Sequence, residues 1–572
     1  MEKIEKLKKL LSIEKIDGYL ISKNDEYFGE YIPDHNDRLK YMTNFSGSYG
    51  FSLILKNKNY LFIDGRYTLQ AFNQSGKAFK IITIPDKMPN EIFKHKKLLI
   101  GFDPMLITKQ TLKRIFKRNN IKLKPINRNL IDEIWKRKVK VNNKKFYNLP
   151  KKSFSLSHTH KIKKIASFLK KKGADYLFIT ASENNAWLLN IRGKDSDFTP
   201  IPNSYILIDK NKNMKFFSSL NKISTTLKKN FNKIQFFDIK LIKKILNKIS
   251  RKKFIIDVNT CAFNLENIIL RNNKILNEID PIYNLKSIKT KKEISNIKNA
   301  HIIDGVALTK YLFWIKKNFQ KKKISEMSAS KKLYEFRKKN KNFKFLSFPT
   351  ISGTGPNGAI IHYKANKESN RILKKGDIYL IDSGGQYEFG TTDVTRTISL
   401  ENSNKRIKNI FTRVLKGHIA VSSFKLKENS SGSNIDSEAR KHLKQIGLNY
   451  SHGTGHGVGY FLNVHEGPQS ISSNNKVKLK EGMVMSNEPG YYEKNKFGIR
   501  IENLIYVKKE NSKKCFEDLT MAPIDKNLID QKILSKNEKI WLNSYHKKVF
   551  DNLKGFMNKT EFIELKKACS AI

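Results

Sequence analysis

YLIDSGGQYEFGTTDVTRT (residues 379–397) is the stretch of sequence that decides the fold of this chain. It starts as an apolar strand that ends in Asp382, continues through a Ser-Gly-Gly turn, and returns as a second strand after Asp393. Antiparallel pairing brings the start of the second strand back beside the end of the first. We therefore expect the two carboxylates to lie close together at the buried end of a strand pair, although either Asp alone is also typical of a turn or a cap.

Three further potential metal ligands follow this stretch. They are His456 in HGTGHGVG (452–459), Glu488 directly before Pro489, and Glu502 in GIRIEN. Hard carboxylate oxygens with one imidazole suit Mn²⁺, Co²⁺, Fe²⁺ or Zn²⁺. Because the four carboxylates of the set carry four negative charges, the composition favours two divalent ions over one.

Histidines are the second unusual feature of this region. His452 and His456 lie in a run with four glycines, and glycine carries a cost in backbone entropy that is accepted mostly where backbone or ligand must approach closely. His362 in GAIIHY and His465 in NVHEGP lie in similar Gly-containing segments. Taken alone, either of these two is more often an ordinary core or surface histidine, but their position in Gly-containing segments favours a functional role.

The overall charge suggests a different function from the one suggested by the candidate metal ligands. The 572 residues include 111 basic and 52 acidic residues, a net charge of +59, which is typical of nucleic-acid or membrane-surface binding. However, 95 of the basic residues are Lys and only 16 are Arg, the side chain suited to bidentate phosphate contacts. Residues 376–510 hold 19 basic and 14 acidic residues, so the basic excess avoids the candidate ligands. We expect no specific nucleic-acid partner, only non-specific attraction.

The cysteines and the apolar runs indicate the compartment. Cys261, Cys515 and Cys569 are far apart and form no CxxC pair, so neither a disulfide framework nor a thiolate zinc site is expected. The amphipathic segment 1–20 lacks the apolar run of a signal peptide, and no stretch is apolar enough to span a membrane. These features predict a cytoplasmic protein with no membrane partner.

An internal repeat organises the first half of the chain. Residues 161–193 repeat the order of residues 1–47: a helix, a buried strand, a polar turn, and an aromatic-containing segment that ends in Gly. This order predicts two tandem α/β domains of similar fold. The expected limits are 1–150 for the first α/β domain, 151–285 for the second, 286–510 for the strand-rich domain with the candidate ligands, and 511–572 for a C-terminal extension.

Two helices are predicted outside the repeat. Residues 289–318 have apolar side chains at helical spacing, interrupted by Asp304. In the C-terminal extension, one helix face carries Trp541, Leu542, Tyr545, Val549 and Phe550. This face fits packing against the chain's own preceding domain or a contact between two copies of the chain.

Taken together, these segments closely resemble the Xaa-Pro aminopeptidases (aminopeptidase P) of the pita-bread metallopeptidase family, in their long three-domain form. The resemblance is carried by SFPTISGTGPNGAIIHY (347–363), YLIDSGGQYEFGTTDVTRT (379–397), LKGHIAV (415–421), SHGTGHGVGYFLNVHEGP (451–468) and NEPGYYEKNKFGIRIEN (487–503). It extends to RLKYMTNFSGSYG (38–50) and to WLNSYHKKV (541–549). It implies two creatinase N-terminal-like α/β domains, a pita-bread catalytic domain and a C-terminal extension that contributes to a homodimer.

The resemblance also implies roles for individual residues. It implies a dinuclear centre, most often manganese, in which Asp382 binds one ion, Asp393 and Glu502 bridge both, and His456 with Glu488 completes the other. Glu488 would also take the proton of the shared water. His465 and His362 would stabilise the tetrahedral oxygen and hold the substrate backbone, and His452 would line the proline side.

Arg500 is the last residue singled out. It lies two residues before Glu502, on what we expect to be the same strand face, and should orient the ligand carboxylates. The alternative is an ordinary surface arginine.

The implied substrates are peptides with proline in the second position. An Xaa-Pro bond has no N–H, so an enzyme that cleaves it gains from an apolar slot for the ring and must protonate the departing nitrogen. Three related alternatives remain: a prolidase, which shares the fold and ligands but cuts only dipeptides; a methionine aminopeptidase, which needs no preceding domains; and a non-enzymatic binding module of the histone-chaperone type, which lacks the ligands.

Overall fold

The computed structural model describes residues 2–117, 121–137, 142–231, 233–401 and 403–572. The chain folds into two compact units. The first comprises residues 1–150 and 156–283, and the second comprises residues 151–155 and 284–572. The predicted division into four domains is finer than this and stays a prediction.

The first half of the first unit is an α/β domain. Its strands are β1 (Gly18–Ser22), β2 (Phe51–Leu55), β3 (Asn59–Asp64), β4 (Lys80–Ile84), β5 (Leu98–Phe102) and β6 (Ile121–Pro125). Its helices are α1 (Glu2–Ile13), α2 (Arg38–Thr43), α3 (Thr68–Ser75), α4 (Pro89–Ile92), α5 (Lys109–Ile115) and α6 (Leu130–Ile134). The six strands form one sheet in the order β4-β3-β2-β1-β5-β6.

The second half of that unit repeats this architecture. Its strands are β7 (Tyr147–Asn148), β8 (Tyr176–Ile179), β9 (Ile191–Arg192), β10 (Tyr205–Asp209), β11 (Met214–Ser218), β12 (Ile234–Asp238), β13 (Lys253–Ile256) and β14 (Lys274–Asn277). Its helices are α7 (His158–Lys171), α8 (Ser182–Leu189), α9 (Thr225–Lys229), α10 (Ile242–Asn247) and α11 (Phe263–Asn272), and α12 (Pro281–Ser287) follows. The sheet order is β12-β11-β10-β8-β13-β14.

The two sheets share one topology. In the first, β1 pairs antiparallel with β2 and parallel with β5; in the second, β8 pairs antiparallel with β10 and parallel with β13. The apolar side chains that suggested the repeat are buried, including Leu7 and Leu11 of α1 and Ile165 and Leu169 of α7. The prediction of two similar α/β domains is confirmed.

The second unit combines long helices with short antiparallel sheets. Its helices are α13 (Lys291–Asn318), α14 (Glu326–Lys338), α15 (Lys405–Ser422), α16 (Gly432–Lys444), α17 (Lys536–Leu553) and α18 (Lys559–Ala568). Its strands are β15 (Phe343–Leu346), β16 (Ile351–Thr354), β17 (Ile378–Ser383), β18 (Gly385–Tyr387), β19 (Gly390–Thr391), β20 (Val394–Ser399), β21 (Gly455–His456), β22 (Ser470–Ile471), β23 (Val484–Asn487), β24 (Gly490–Glu493), β25 (Phe497–Arg500), β26 (Asn503–Glu510) and β27 (Lys513–Asp518). The three-stranded sheets are β15-β18-β19, β16-β17-β20 and β23-β26-β27, accompanied by the pairs β21-β22 and β24-β25.

The contacts of the long helix α13 explain why a charged residue, Asp304, interrupts its apolar face. Its N-terminus is fixed by a capping box between Thr290 and Glu293. Asp304 is buried because Arg337 donates to it twice, at 2.8 and 2.9 Å, and the hydroxyl of Tyr387 donates at 2.7 Å. Each carboxylate oxygen therefore has a donor, as a buried charge requires.

The apolar face of α17 packs against the chain's own second unit. Leu542, Tyr545 and Val549 lie in one buried cluster with Phe411 and Leu415 of α15. Packing within the chain therefore accounts for most of this face. In the described residues, no helix has both the length and the apolar character needed to cross a membrane.

Candidate active site

The central sheet of the second unit brings the first two candidate ligands together. Strand β17 lies between β16 and β20, and Asp382 is paired with Ile351 on one side and Thr395 on the other. Asp393 directly precedes β20, two residues before Thr395. The antiparallel pairing predicted from the sequence is confirmed.

The turn after β17 requires glycine. A Cβ atom on Gly384 would lie 1.9 Å from the carbonyl oxygen of Thr392 and 2.2 Å from the hydroxyl of Ser347. No side chain fits there. Only glycine at this position allows the chain to pass close to Thr392 as it returns toward Asp393.

The other two carboxylates, Glu488 and Glu502, lie at the ends of strands. Glu502 lies in the break between β25 and β26, where its N–H donates to the carbonyl of Thr395 at 3.2 Å and its Oε2 accepts from the Thr395 hydroxyl at 2.7 Å. Glu488 follows β23, and its N–H donates to the carbonyl of Thr454 at 2.8 Å. Thr395 thus links Glu502 to the strand beside Asp382.

His456 faces these carboxylates with one ring nitrogen. Its Nδ1 lies 2.9 Å from the carbonyl oxygen of Gly457, so Nδ1 carries the hydrogen and Nε2 is left as the coordinating atom. Nε2 lies 3.4 Å from Asp393 Oδ2 and 3.5 Å from Glu488 Oε1. Backbone packing holds the strand, because a Cβ on Gly455 would lie 2.0 Å from the carbonyl oxygen of Ser486.

The geometry fits a metal centre. Potential ligand atoms of Asp393, His456 and Glu502 all lie within 4.8 Å of one another. Asp382 is 7% exposed, and among the described residues its Oδ1 is a buried oxygen without a hydrogen-bond partner. A buried carboxylate oxygen without a donor is costly unless a cation contacts it. Carboxylate oxygens and an imidazole nitrogen are suitable ligands for Mn²⁺, Co²⁺, Fe²⁺ or Zn²⁺.

The electrostatics of the site lead to the same conclusion. Burial raises the pKa of Asp382 to about 7, with Asp393 and Glu488 adding to the rise and Arg500 opposing it. Burial and the neighbouring carboxylates also hold the pKa of Glu502 well above its usual range. Burial disfavours the His456 imidazolium, but its hydrogen bond to Asp393 and the charge of Glu488 raise its pKa to about 9. Without metal ions, these groups therefore keep their protons at pH values at which they would normally lose them. Bound cations would balance the carboxylate charges instead.

Arg500 is buried at 2% exposure, so the surface alternative is wrong. It donates to Asp382 Oδ2, to the Thr395 hydroxyl at 3.0 Å, and to the Tyr492 hydroxyl at 2.6 Å. β25 ends at Arg500, so Glu502 lies just beyond the strand. Both side chains nevertheless contact the hydroxyl of Thr395, which connects Arg500 to Glu502.

The remaining histidines lie on irregular segments. His465 is exposed, and its ring centroid lies 4.3 Å from that of His456. His452 Nδ1 lies 2.8 Å from the carbonyl oxygen of Gly453, and its Nε2 lies 2.9 Å from the Tyr492 hydroxyl, which links it to Arg500. His362 is half-buried in the loop between β16 and β17.

Glu326 anchors the loop that carries His362, and the sequence analysis missed it. Its carboxylate is fully buried and accepts hydrogen bonds from the N–H groups of Thr354 and Arg371, the amide of Asn357 and the hydroxyl of Tyr363. An acidic residue in the first turn of a helix is ordinarily explained by the helix dipole. In the sequence, Glu326 therefore looks the same as a solvent-exposed acidic residue at the start of a helix.

Comparison with known families covers nearly the whole chain. A model of metallopeptidase family M24 matches residues 295–509, and the C-terminal region of that family matches residues 514–572. The creatinase/prolidase N-terminal domain matches twice, at residues 3–134 and 137–293. This double match agrees with the repeated sheet topology.

Individual relatives match over their full length. A probable Xaa-Pro aminopeptidase P of Laccaria bicolor is 37% identical, with 100% of this chain and 93% of that protein covered. Xaa-Pro aminopeptidase 1 of Dictyostelium discoideum is 36% identical, with 98% and 94% covered.

Solved structures give the same assignment. The X-prolyl aminopeptidase of Caenorhabditis elegans, described as a cytosolic enzyme with a di-nuclear active site, superposes with a TM-score of 0.95 at 29% identity, covering 100% of this chain and 99% of that one. A prolidase from Pyrococcus furiosus, at 26% identity and a TM-score of 0.52, covers 62% of this chain and 98% of its own. The full-length matches, the repeated N-terminal domains and the convergent carboxylates establish that the chain belongs to metallopeptidase family M24, among its Xaa-Pro aminopeptidases.

Proposed function

We propose that this protein is a metal-dependent aminopeptidase that hydrolyses the bond between an N-terminal residue and a following proline. The observation that carries the proposal is the convergence of Asp393, His456 and Glu502 beside Asp382 and Glu488 in a buried site. The full-length similarity to Xaa-Pro aminopeptidases supports the substrate class.

Five residues are proposed to hold two divalent ions. Asp382 would bind one ion, Asp393 and Glu502 both, and His456 with Glu488 the other. When bound, such a pair supplies an activated water at neutral pH and a Lewis acid for the scissile carbonyl. We propose Mn²⁺ as the metal, with Co²⁺ and Zn²⁺ as substitutes, because the site offers oxygen ligands and no thiolate.

The chain's own side chains would handle the protons and the substrate. Glu488 would take a proton from the attacking water and release it to the departing proline nitrogen. His465 is exposed beside His456, which suits a donor to the developing oxyanion. His362 would hold the substrate backbone, and His452 would line the proline side. Arg500 would keep Asp382 oriented through its guanidinium.

The decisive experiment compares three peptides on protein that has been stripped of metal and reloaded with Mn²⁺, Co²⁺ or Zn²⁺. We expect metal-dependent release of Arg from Arg-Pro-Pro. Preferential cleavage of Gly-Pro would indicate a prolidase, and cleavage of Met-Ala-Ser would indicate a methionine aminopeptidase. Activity that resists a chelator would contradict the proposal.

We also propose the domain limits 1–150, 151–285, 286–510 and 511–572. The family matches at residues 3–134, 137–293, 295–509 and 514–572 support these limits.

A cytoplasmic location and a homodimer complete the proposal. The similar Caenorhabditis elegans enzyme is described as cytosolic, which supports the location. The exposed Ile540, Phe556 and Ile563 leave apolar surface on the last helices, which supports a second copy as partner. Light scattering on the full chain and on the variant Ile563→Lys, which changes an exposed apolar side chain and keeps α17 in its core, tests the dimer. A monomeric full-length protein would contradict it.

A further inference from the structure

The segment that carries His465 lacks the strand pairing that holds the candidate carboxylate ligands. Between β21 and β22, residues 457–469 contain neither a helix nor a strand. His465 itself is exposed, while its neighbours Val464 and Glu466 are buried. The position of the histidine therefore depends on how the buried neighbours are fixed.

Glu466 is fixed by two lysines from a distant part of the chain. Lys286 Nζ lies 2.9 Å from Glu466 Oε2, and Lys289 Nζ lies 2.7 Å from Oε1. The side chains of all three residues are 1% exposed. Because each oxygen is engaged by a different ammonium group, both the position and the rotation of the carboxylate are determined.

The backbone of Glu466 is tied to His456 as well. The Glu466 N–H donates at 2.8 Å to the carbonyl of Gly457, the same oxygen that accepts from His456 Nδ1 at 2.9 Å. A Cβ on Gly457 would lie 2.0 Å from the carbonyl oxygen of Glu466, so the two segments are in direct backbone contact. Displacement of Glu466 would thus disturb both histidines.

We infer that Lys286, Glu466 and Lys289 form a positioning triad that places His465 beside the metal centre and keeps the ring of His456 oriented. The inference rests on the proposed function, in which His465 contacts the substrate and His456 binds metal. Buried ion pairs add little net stability compared with apolar side chains of similar volume. The contribution of the triad is therefore directional: it fixes a segment that forms no helix or strand and is otherwise held by isolated backbone contacts, such as the bridge between Gly457 and Met485.

The main test is Glu466→Gln, which leaves two ammonium groups facing a neutral amide. We expect kcat on Arg-Pro-Pro to fall by about 10- to 100-fold, the usual effect of removing a partner behind a metal ligand, with KM nearly unchanged. Mn²⁺ affinity, measured by the EPR signal of free Mn²⁺, should also fall. Lys289→Met should have a smaller effect because Lys286 still pairs with the carboxylate, and Lys289→Arg should restore both values.

Lys416→Met is the matched control. Lys416 Nζ lies 2.7 Å from Glu538 Oε2, and both side chains are 14% exposed, so the substitution breaks a well-shielded ion pair that includes none of the proposed site residues. We expect a lower melting temperature with wild-type kcat and Mn²⁺ affinity. A merely structural role of the triad would give this same result for Glu466→Gln and would overturn the inference.

A double-mutant cycle tests whether Glu466 acts through His465. If it does, at saturating Mn²⁺ the variant with both His465→Ala and Glu466→Gln should have nearly the kcat of His465→Ala alone. Multiplicative losses would overturn the route through His465. If the wild-type protein does not cleave Xaa-Pro peptides, the proposed function fails, and Mn²⁺ affinity alone then decides the triad: unchanged affinity in both Glu466→Gln and Lys289→Met would overturn it.

Discussion

The carboxylates and the histidines of the site are held in different ways. Asp382 lies within a strand and Asp393, Glu488 and Glu502 lie at strand ends, where ladder hydrogen bonds fix the backbone on at least one side. His465 and His362 lie on irregular segments that are fixed by buried carboxylates, Glu466 and Glu326 respectively. The proposed metal ligands are therefore held mainly by strand pairing, and the histidines proposed to contact the substrate are held by single long-range polar anchors.

The strongest test of the strand-held half is Asp393→Asn. Removing one of the proposed bridging charges unbalances the pair of cations, so we expect metal content to drop and activity to fall by orders of magnitude while the fold is kept. Metal analysis, turnover of Arg-Pro-Pro and circular dichroism measure these effects. Asp551→Asn, which changes an exposed partner of Lys547, serves as the control. Survival of both metal and turnover would exclude a bridging role.

His465→Ala tests the irregular half directly. Loss of a donor to the developing oxyanion should lower kcat by about 10²- to 10³-fold with little change in KM, and metal content should stay at the wild-type level. Steady-state kinetics and metal analysis separate this variant from Asp393→Asn. The exposed His160 provides a control substitution to Ala. A change in KM alone would assign His465 to substrate binding.

Glu326→Gln should give a smaller loss that appears mainly in KM. The amide keeps the volume but turns one acceptor into a donor against several N–H and O–H groups, so the loop with His362 should shift. We expect kcat/KM to fall by about 10-fold, since displacement of a positioning side chain by about 1 Å costs up to about 100-fold.

Tyr363→Phe removes only one of the donors to Glu326 and is the matched variant. It should lower the free energy of unfolding by about 1 kcal/mol and change the kinetics little. Equal kinetics for wild type and Glu326→Gln would show that the loop does not depend on its anchor.

The smallest expected effect is a pH dependence of the metal-free protein. The pKa of Asp382 is raised to about 7 in the folded state, above its unfolded value, so the folded state holds more protons and stability falls as pH rises toward 7. The pKa of His456 is raised to about 9, so its contribution is present below about 6.5 and is lost as pH rises through 9.

Both contributions have the same sign. The melting temperature of the metal-free protein should therefore fall by a few degrees relative to the Mn²⁺-loaded protein between pH 5 and 9, as calorimetry would measure. Asp382→Asn should reduce the part of this change below pH 7. A difference in melting temperature between the metal-free and the Mn²⁺-loaded protein that does not change with pH would contradict the expectation.

Sequence patterns predicted the features that depend on neighbouring residues. The strand pair around Asp382 and Asp393, the helix α13 and the repeated α/β topology all follow from local periodicity and glycine turns. The polar anchors were missed because their partners are remote: Lys286 and Glu466 are 180 residues apart. Asp304 was recognised only as an interruption of an apolar helix face, because its partner Arg337 lies 33 residues further along the chain. Arg500 was predicted to orient the ligand carboxylates. Its hydrogen bond to Thr395 could not be predicted, because it depends on pairing between strands that are far apart in sequence.

The distance in sequence between the ligands has a consequence during synthesis. Asp382 leaves the ribosome 120 residues ahead of Glu502. At about 5–20 residues per second, this interval lasts on the order of ten seconds. Until His456 emerges, 74 residues after Asp382, the nascent chain presents Asp382 and Asp393 without a histidine or glutamate partner from the candidate site. The full set of proposed ligands is therefore available only after Glu502 has been synthesised, when most of the chain already exists.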